Sequence, residues 1–118
     1  MKTILIAEDN DSNFILMTYI LKRDYQYLRA KNGQIAVEMV EKGGIDLVLM
    51  DIKMPVMDGL EATKKIKELE PDLPVIALTA NAFDSDRLLA KQAGCDDFLA
   101  KPVGSEACLE TIAKYIGK

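Results

Sequence analysis

Histidine is missing from all 118 residues, and cysteine occurs only twice, as Cys95 and Cys108. Zinc sites rest on imidazole and thiolate in set spacings, so a zinc centre is nearly excluded, as is a triad that relays protons through histidine. The two cysteines lie in no metal-ligand spacing and read as small apolar filler in a reducing compartment. Basic charge is not in excess. Fifteen Lys and Arg against nineteen Asp and Glu leave a net charge of −4, the wrong sign for general nucleic-acid binding. Long apolar runs are absent too. Met1-Lys2-Thr3 is followed by only four apolar residues, too few for a secretory signal, and nothing approaches membrane-spanning length. No linker, repeat or low-complexity stretch interrupts the chain. Hydrophobic residues at 49% and charged residues at 29% make an ordinary soluble balance. One compact domain over 1–118, without output domain and placed in the cytoplasm, is the expectation.

Strand-like and helix-like segments alternate five times. Residues 3–7, 46–51, 74–79 and 97–100 are short apolar runs, read as buried strands, and the more polar 25–30 alternates as an edge strand would. Asp11 or Ser12 is expected to cap a first helix with Phe14, Met17, Ile20 and Leu21 inward. Asn32-Gly33 reads as a turn before a helix marked by Ala36, Met39 and Val40 and closed by Gly43-Gly44. Asp58-Gly59 leads into a third helix with Ala62, Ile66 and Leu69 inward. Asp84 or Ser85 caps a fourth, carrying Leu88, Leu89 and Ala93 ahead of Gly94. Ser105 opens a last helix with Cys108, Ile112, Tyr115 and Ile116. Such alternation with short connections predicts an α/β domain, a parallel sheet with helices on both faces. Ligands of such sheets bind beyond the carboxyl ends of the strands.

Chemistry-bearing residues stand at those ends. The first strand runs into Glu8-Asp9, the third ends in Asp51, the fourth in Thr79, and the fifth runs into Lys101-Pro102. Neighbouring first and third strands bring three carboxylates together, and like charges at close range need a cation between them. Oxygen ligands without imidazole or thiolate select a hard ion, Mg²⁺ or alternatively Mn²⁺. Lys101 is a point charge suited to a phosphoryl oxygen or a carboxylate. The Thr79 hydroxyl and the Ala80 amide are two further donors. Phe98 on its own reads as core, Lys64-Lys65-Ile66-Lys67 as a solvated face, and Met17, Met39 and Met50 as core filler. The residues alone leave open whether Lys101-Pro102 is cis.

These segments resemble the receiver (response-regulator) domain of bacterial two-component signalling over nearly the whole chain, from Ile4 to Ile116. The resemblance rests on Glu8-Asp9-Asn10, on Leu49 to Gly59 (LMDIKMPVMDG), on Ala77 to Ala82 (ALTANA), and on Gly94 through Asp97-Phe98-Leu99-Ala100-Lys101-Pro102. It implies a flavodoxin-like, five-stranded sheet of order 2-1-3-4-5. It also implies roles. Asp51 takes phosphate from a phosphohistidine. Asp9, Asp51 and the Lys53 backbone carbonyl bind Mg²⁺, and Glu8 acts through a metal-bound water. Lys101, Thr79 and the Ala80 amide hold phosphoryl oxygens, Phe98 turns inward as Thr79 moves, and Lys101-Pro102 is cis. The implied partner is a histidine kinase or histidine phosphotransfer protein, with no nucleic acid or membrane contact, in a monomer or weak dimer. Signalling would use the surface of helix four, strand five and helix five.

Glu8 departs from the aspartate common in the family, Lys22-Arg23-Asp24 replaces a frequent glycine turn, and Lys53 and Asn81 flank the phosphoryl entrance at variable positions. These features leave open a stand-alone regulator, a relay, or a domain of a hybrid kinase. The rival reading is a Mg²⁺-dependent phosphohydrolase with an aspartyl-phosphate. Such enzymes resembling haloacid dehalogenases carry a second aspartate where this chain has Lys53. A degenerate, scaffold-only receiver is a third reading, opposed by the complete set of acids, hydroxyl and lysine.

Overall fold

Apolar runs of four or five residues become strands, and the amphipathic stretches between them become helices. A computed structural model describes residues 1–80 and 84–117, the side chains of Asp84 and Ser85 excepted. In chain order the elements are β1 (Thr3–Ala7), α1 (Asp11–Leu21), β2 (Gln26–Ala30), α2 (Gly33–Lys42), β3 (Leu47–Asp51), α3 (Gly59–Leu69), β4 (Val75–Thr79), α4 (Asp84–Ala93), β5 (Asp97–Ala100) and α5 (Ser105–Ile116). All pairings are parallel, in the order β2-β1-β3-β4-β5. β3 and β4 are buried along their whole length, while β2 exposes Gln26, Tyr27 and Leu28 at one edge.

Period-two alternation along the strands divides the core into two layers. Ile4, Ile6, Leu49, Ile76 and Leu78 face α1 and α5, where they meet Met17, Leu21 and Ile112. Leu5, Val48, Met50 and Val75 face α2 and α3, where they meet Val37, Val40, Ala62 and Ile66. Each fully buried Leu or Ile contributes roughly 2 kcal/mol of transfer free energy. Because both faces of the central strands are covered, a slip of one residue would exchange side chains between the two layers and spoil their packing.

Several local expectations shift. Asn10, not Asp11 or Ser12, caps α1. It keeps an extended backbone (φ −85, ψ 121), and its side chain accepts from the Asn13 amide. Asn32-Gly33 is the start of α2 and not a separate turn, because Asn32 accepts from the Ile35 amide as its N-cap. Asp58 caps α3 in the same way through Glu61. Leu69, the last residue of α3, is exposed, and Leu73 from the following turn closes that end of the core instead. On α4 the inward side is Ala90 and Ala93, whose small side chains allow close packing, and Leu88 and Leu89 are left exposed. The caps expected at Asp84 or Ser85, and Asn81, lie outside the described residues.

Two glycines hold the loop after β3. A Cβ on Gly59 would collide with the carbonyl oxygen of Asp51, and one on Gly33 with that of Met57. Their amides use the same closeness, Gly59 donating to the Ile52 carbonyl at 2.8 Å and Gly33 to the Met57 carbonyl at 3.1 Å. Lys101-Pro102 is cis.

Candidate functional site

Parallel register aligns the strand ends. Ala7 pairs with Met50, Asp51 with Leu78, and Thr79 with Ala100, so the residues at or just past these positions share one rim. They line a cleft of about 240 Å³. Lys101 reaches across it. Its Nζ lies 2.9 Å from Glu8 Oε1 and 3.1 Å from Asp51 Oδ2. The Lys53 amide donates to Asp51 Oδ1 at 3.2 Å, and the Asn10 amide to Glu8 Oε2 at 3.4 Å. Glu8 is fully buried and Asp51 is 6% exposed, while Asp9 is open to solvent.

The electrostatics follow from this burial. Desolvation pushes the Glu8 carboxyl above its ordinary range and the adjacent Asp51 adds to the rise, with Lys101 offsetting part of it. Desolvation works against the Lys101 ammonium, but its bonds to Glu8 and Asp51 outweigh that and hold its pKa above the usual lysine value. Glu8 Oε1 faces the ammonium and, among the described residues, has no other hydrogen-bond donor.

Glu8, Asp9 and Asp51 each offer a carboxylate oxygen within 4.8 Å of the others. Asp86 is a fourth acid on the cleft, set against two ammonium groups, Lys53 and Lys101. The side chains thus carry a net double negative charge when ionised. All-oxygen donors with that charge fit a hard divalent cation such as Mg²⁺.

Glu8, Asp9, Asp51, Lys53, Thr79, Ala80 and Lys101 therefore meet in one place, as expected. The Thr79 hydroxyl donates to Asp86 Oδ2 at 3.3 Å, and its carbonyl accepts from the Lys101 amide at 2.7 Å. Phe98 stands apart from the cleft. It is half-buried, with the Arg87 guanidinium 4.2 Å above its ring, and borders a groove of about 530 Å³ between α4 and β5.

Two contributors escaped the sequence reading. Asp86 gave only the signal of one more acid in the first turn of α4. Arg29 gave that of a lone cation in an edge strand. Arg29 donates to the carbonyls of Glu8 (3.2 Å) and Asp9 (3.4 Å), pairs with Asp11 at 2.8 Å, and covers the Phe14 ring. It thereby ties the acidic loop to β2. Both cysteines are free. Burial pushes the Cys108 thiol up to about 12 and raises that of Cys95, as inert filler should behave. Among the described residues no helix is long and apolar enough to cross a membrane.

Known proteins share this arrangement. Residues 4–113 match the family described as the response regulator receiver domain. The polar-differentiation response regulator DivK of Brucella anthropi is 36% identical over 98% of this chain and 97% of its own. The receiver domain of sensor histidine kinase PA1611 from Pseudomonas aeruginosa PAO1, solved with a magnesium ion coordinated in its active-site cleft, superposes with a TM-score of 0.92. It is 37% identical over 99% of this chain and 98% of that one. The receiver domain of Ssk1 from Saccharomyces cerevisiae, solved with the histidine phosphotransfer protein Ypd1, gives a TM-score of 0.91. It is 34% identical over 97% of this chain and 88% of that one. On its sheet order, its strand-end acids and these likenesses, the chain belongs to the response regulator receiver domains, the phosphoacceptor signalling modules of two-component phosphorelays.

Proposed function

We propose that Asp51 is the phosphoacceptor and that residues 1–118 act as one receiver domain in the cytoplasm. Asp9, Asp51 and the Lys53 carbonyl would hold Mg²⁺ directly, with Glu8 acting through a water, and Mn²⁺ is the alternative ion. When bound, the ion supplies a Lewis acid that neutralises phosphoryl oxygens. An Asp51 carboxylate oxygen attacks the phosphorus of a phosphohistidine. The new O–P bond forms as the P–N bond breaks, and the electron pair stays on the departing imidazole. Phosphoryl transfer asks of the protein mainly alignment and charge neutralisation. Lys101 supplies an ammonium, Thr79 a hydroxyl and Ala80 an amide. The donor would be a histidine kinase or, as for the Ssk1 receiver with Ypd1, a histidine phosphotransfer protein.

The acyl phosphate carries a charge near −2 at neutral pH, enough to bias a two-state surface. Thr79 moves towards it, Phe98 turns inward, and the face made by α4, β5 and α5 changes for a downstream partner. Slow hydrolysis of the phosphoryl group by the same residues resets the domain.

The observation that carries this reading is the convergence of Lys101 Nζ on both Glu8 and Asp51 within one acid-lined cleft. Acetyl phosphate with Mg²⁺ should add one phosphoryl group to the wild type and none to Asp51→Asn, read by intact-mass spectrometry. Equal labelling of the two proteins would refute the assignment.

A further inference from the structure

We infer that Asp86 is a positioning residue that holds the switch in its resting form by competing with the phosphoryl group for the Thr79 hydroxyl proton. The inference rests on the phosphoacceptor reading above and adds a brake to it.

Thr79 ends β4 and is almost fully buried, and its Oγ1 donates to Asp86 Oδ2 at 3.3 Å. A threonine hydroxyl has one proton to donate. Given to Asp86, that proton is withheld from a phosphoryl oxygen. Asp86 also lines the same cleft as Asp51. Its carboxylate and an incoming phosphoryl group are like charges, and no lysine or arginine ion pair is recorded for Asp86 among the described residues. Phosphorylation must therefore break the Thr79–Asp86 bond and move the two anions apart. Asp86 belongs to α4, so the cost of switching is set by a residue of the element that moves.

The next residue extends the contact to the second switch position. Arg87 stacks its guanidinium 4.2 Å from the Phe98 ring, a contact of cation–π type. Consecutive residues of one helix turn thus hold Thr79 and Phe98 together in the resting arrangement. Release at Asp86 loosens Arg87 from Phe98, which couples the cleft to the groove between α4 and β5.

Beryllium fluoride with Mg²⁺, a non-transferable mimic of the phosphoryl group, tests this through its affinity and through the NMR shifts of the Thr79 methyl and the Phe98 ring. Asp86→Ala should bind the mimic roughly fivefold more tightly, the worth of one hydrogen bond no longer broken. Its metal-free Thr79 and Phe98 signals should move part of the way towards the bound positions. The gain should vanish in the Thr79→Ala background, which a merely structural role of Asp86 would not produce. If Asp86→Ala loses α4 by circular dichroism, Asp86→Asn serves. Its amide oxygen is a weaker acceptor, and a smaller gain is expected, again lost without the Thr79 hydroxyl. Unchanged affinity, or the same gain without Thr79, overturns the inference while leaving Asp51 as acceptor. A wild type that binds no beryllium fluoride defeats the phosphoacceptor reading itself, and the inference with it.

Discussion

Replacing Lys101 by methionine keeps the aliphatic stem and removes the one side-chain cation that, among the described residues, contacts the two buried carboxylates. At 2.9 and 3.1 Å each attraction is about 5.5 kcal/mol for an effective dielectric of about 20, before desolvation is subtracted. The desolvation of all three groups offsets most of that. Removing one partner of a buried pair typically costs about 3–5 kcal/mol, because the other charge stays behind uncompensated. The Lys101 side chain is 19% exposed, which puts the metal-free loss near the lower figure, about 3 kcal/mol. With an unfolding entropy of about 2.1 cal/mol/K per residue, that loss lowers Tm by about 12 °C. Thermal melts followed by circular dichroism in excess chelator measure it directly.

Two controls carry the sign. Mg²⁺ should narrow the gap, since a divalent ion replaces the missing cation and binds only the folded form. Acid should narrow it too. Glu8 has a native pKa above its ordinary 4.5, so its contribution to stability is full below the unfolded value and is lost as pH rises through the raised native value. Lys101 behaves in the same sense at alkaline pH, since its raised pKa gives stability that is lost as pH rises past the ordinary 10.5. A metal-free Lys101→Met that melts within two degrees of wild type at neutral pH, as an order-of-magnitude bound, would show that the carboxylates never depended on the ammonium.

Asp9→Ala should weaken Mg²⁺ binding by at least tenfold in a calorimetric titration, on the order expected for loss of one of few charged ligands, and an unchanged affinity would remove Asp9 from the metal set. Gly59→Ala should destabilise the fold by roughly 2–3 kcal/mol, since its Cβ meets the Asp51 carbonyl, and should slow acetyl-phosphate labelling more than a distant mutation of equal cost. Urea melts with rate measurements on the same samples separate the two effects. Cys108, fully buried with its thiol pKa raised to about 12, should react with a maleimide only as fast as the protein opens. Prompt labelling of the native protein would contradict its place in the core.

The parallel sheet was legible because β1, β3 and β4 are buried on both faces. A strand with no polar side must be apolar throughout, and Ile4 to Ala7, Leu47 to Met50 and Val75 to Leu78 are. The site was legible for a related reason. Polar residues that interrupt such runs at their carboxyl ends share a rim once the strands are parallel, so Glu8, Asp51, Thr79 and Lys101 could be placed together before any distance was known. The strand order and the separate roles came from the likeness to receivers and not from periodicity. What stayed hidden depends on rotation and reach. Leu88 and Leu89 lie beside Ala90 and Ala93 in one helix, and pattern favours burying the larger pair. The helix buries the smaller, which permits close packing and leaves two leucines in solvent. Arg29 and Asp86 act through side chains that cross from an edge strand and from a helix start. Nothing in their neighbours along the chain announces either partner.

The charges in the cleft explain why such a site can act as a switch. Among the described residues of the cleft, Glu8, Asp9, Asp51 and Asp86 face Lys53 and Lys101, so a bound divalent ion would bring these side chains to neutrality. Turning the Asp51 carboxylate into an acyl phosphate replaces a charge of −1 by one near −2. The balance is then lost by about one unit in a place where Glu8 and Asp51 are nearly dry. A rigid core cannot answer by moving the strands, whose side chains are packed on both faces. On the proposed reading the imbalance would be relieved by what can move, namely a hydroxyl that changes acceptor and a carboxylate that retreats. Thr79 and Asp86 would be those two groups. Because Asp86 sits on α4, its retreat would move the helix that bears the exposed Leu88 and Leu89. A charge change in the cleft would thus become a change in the surface shown to a partner.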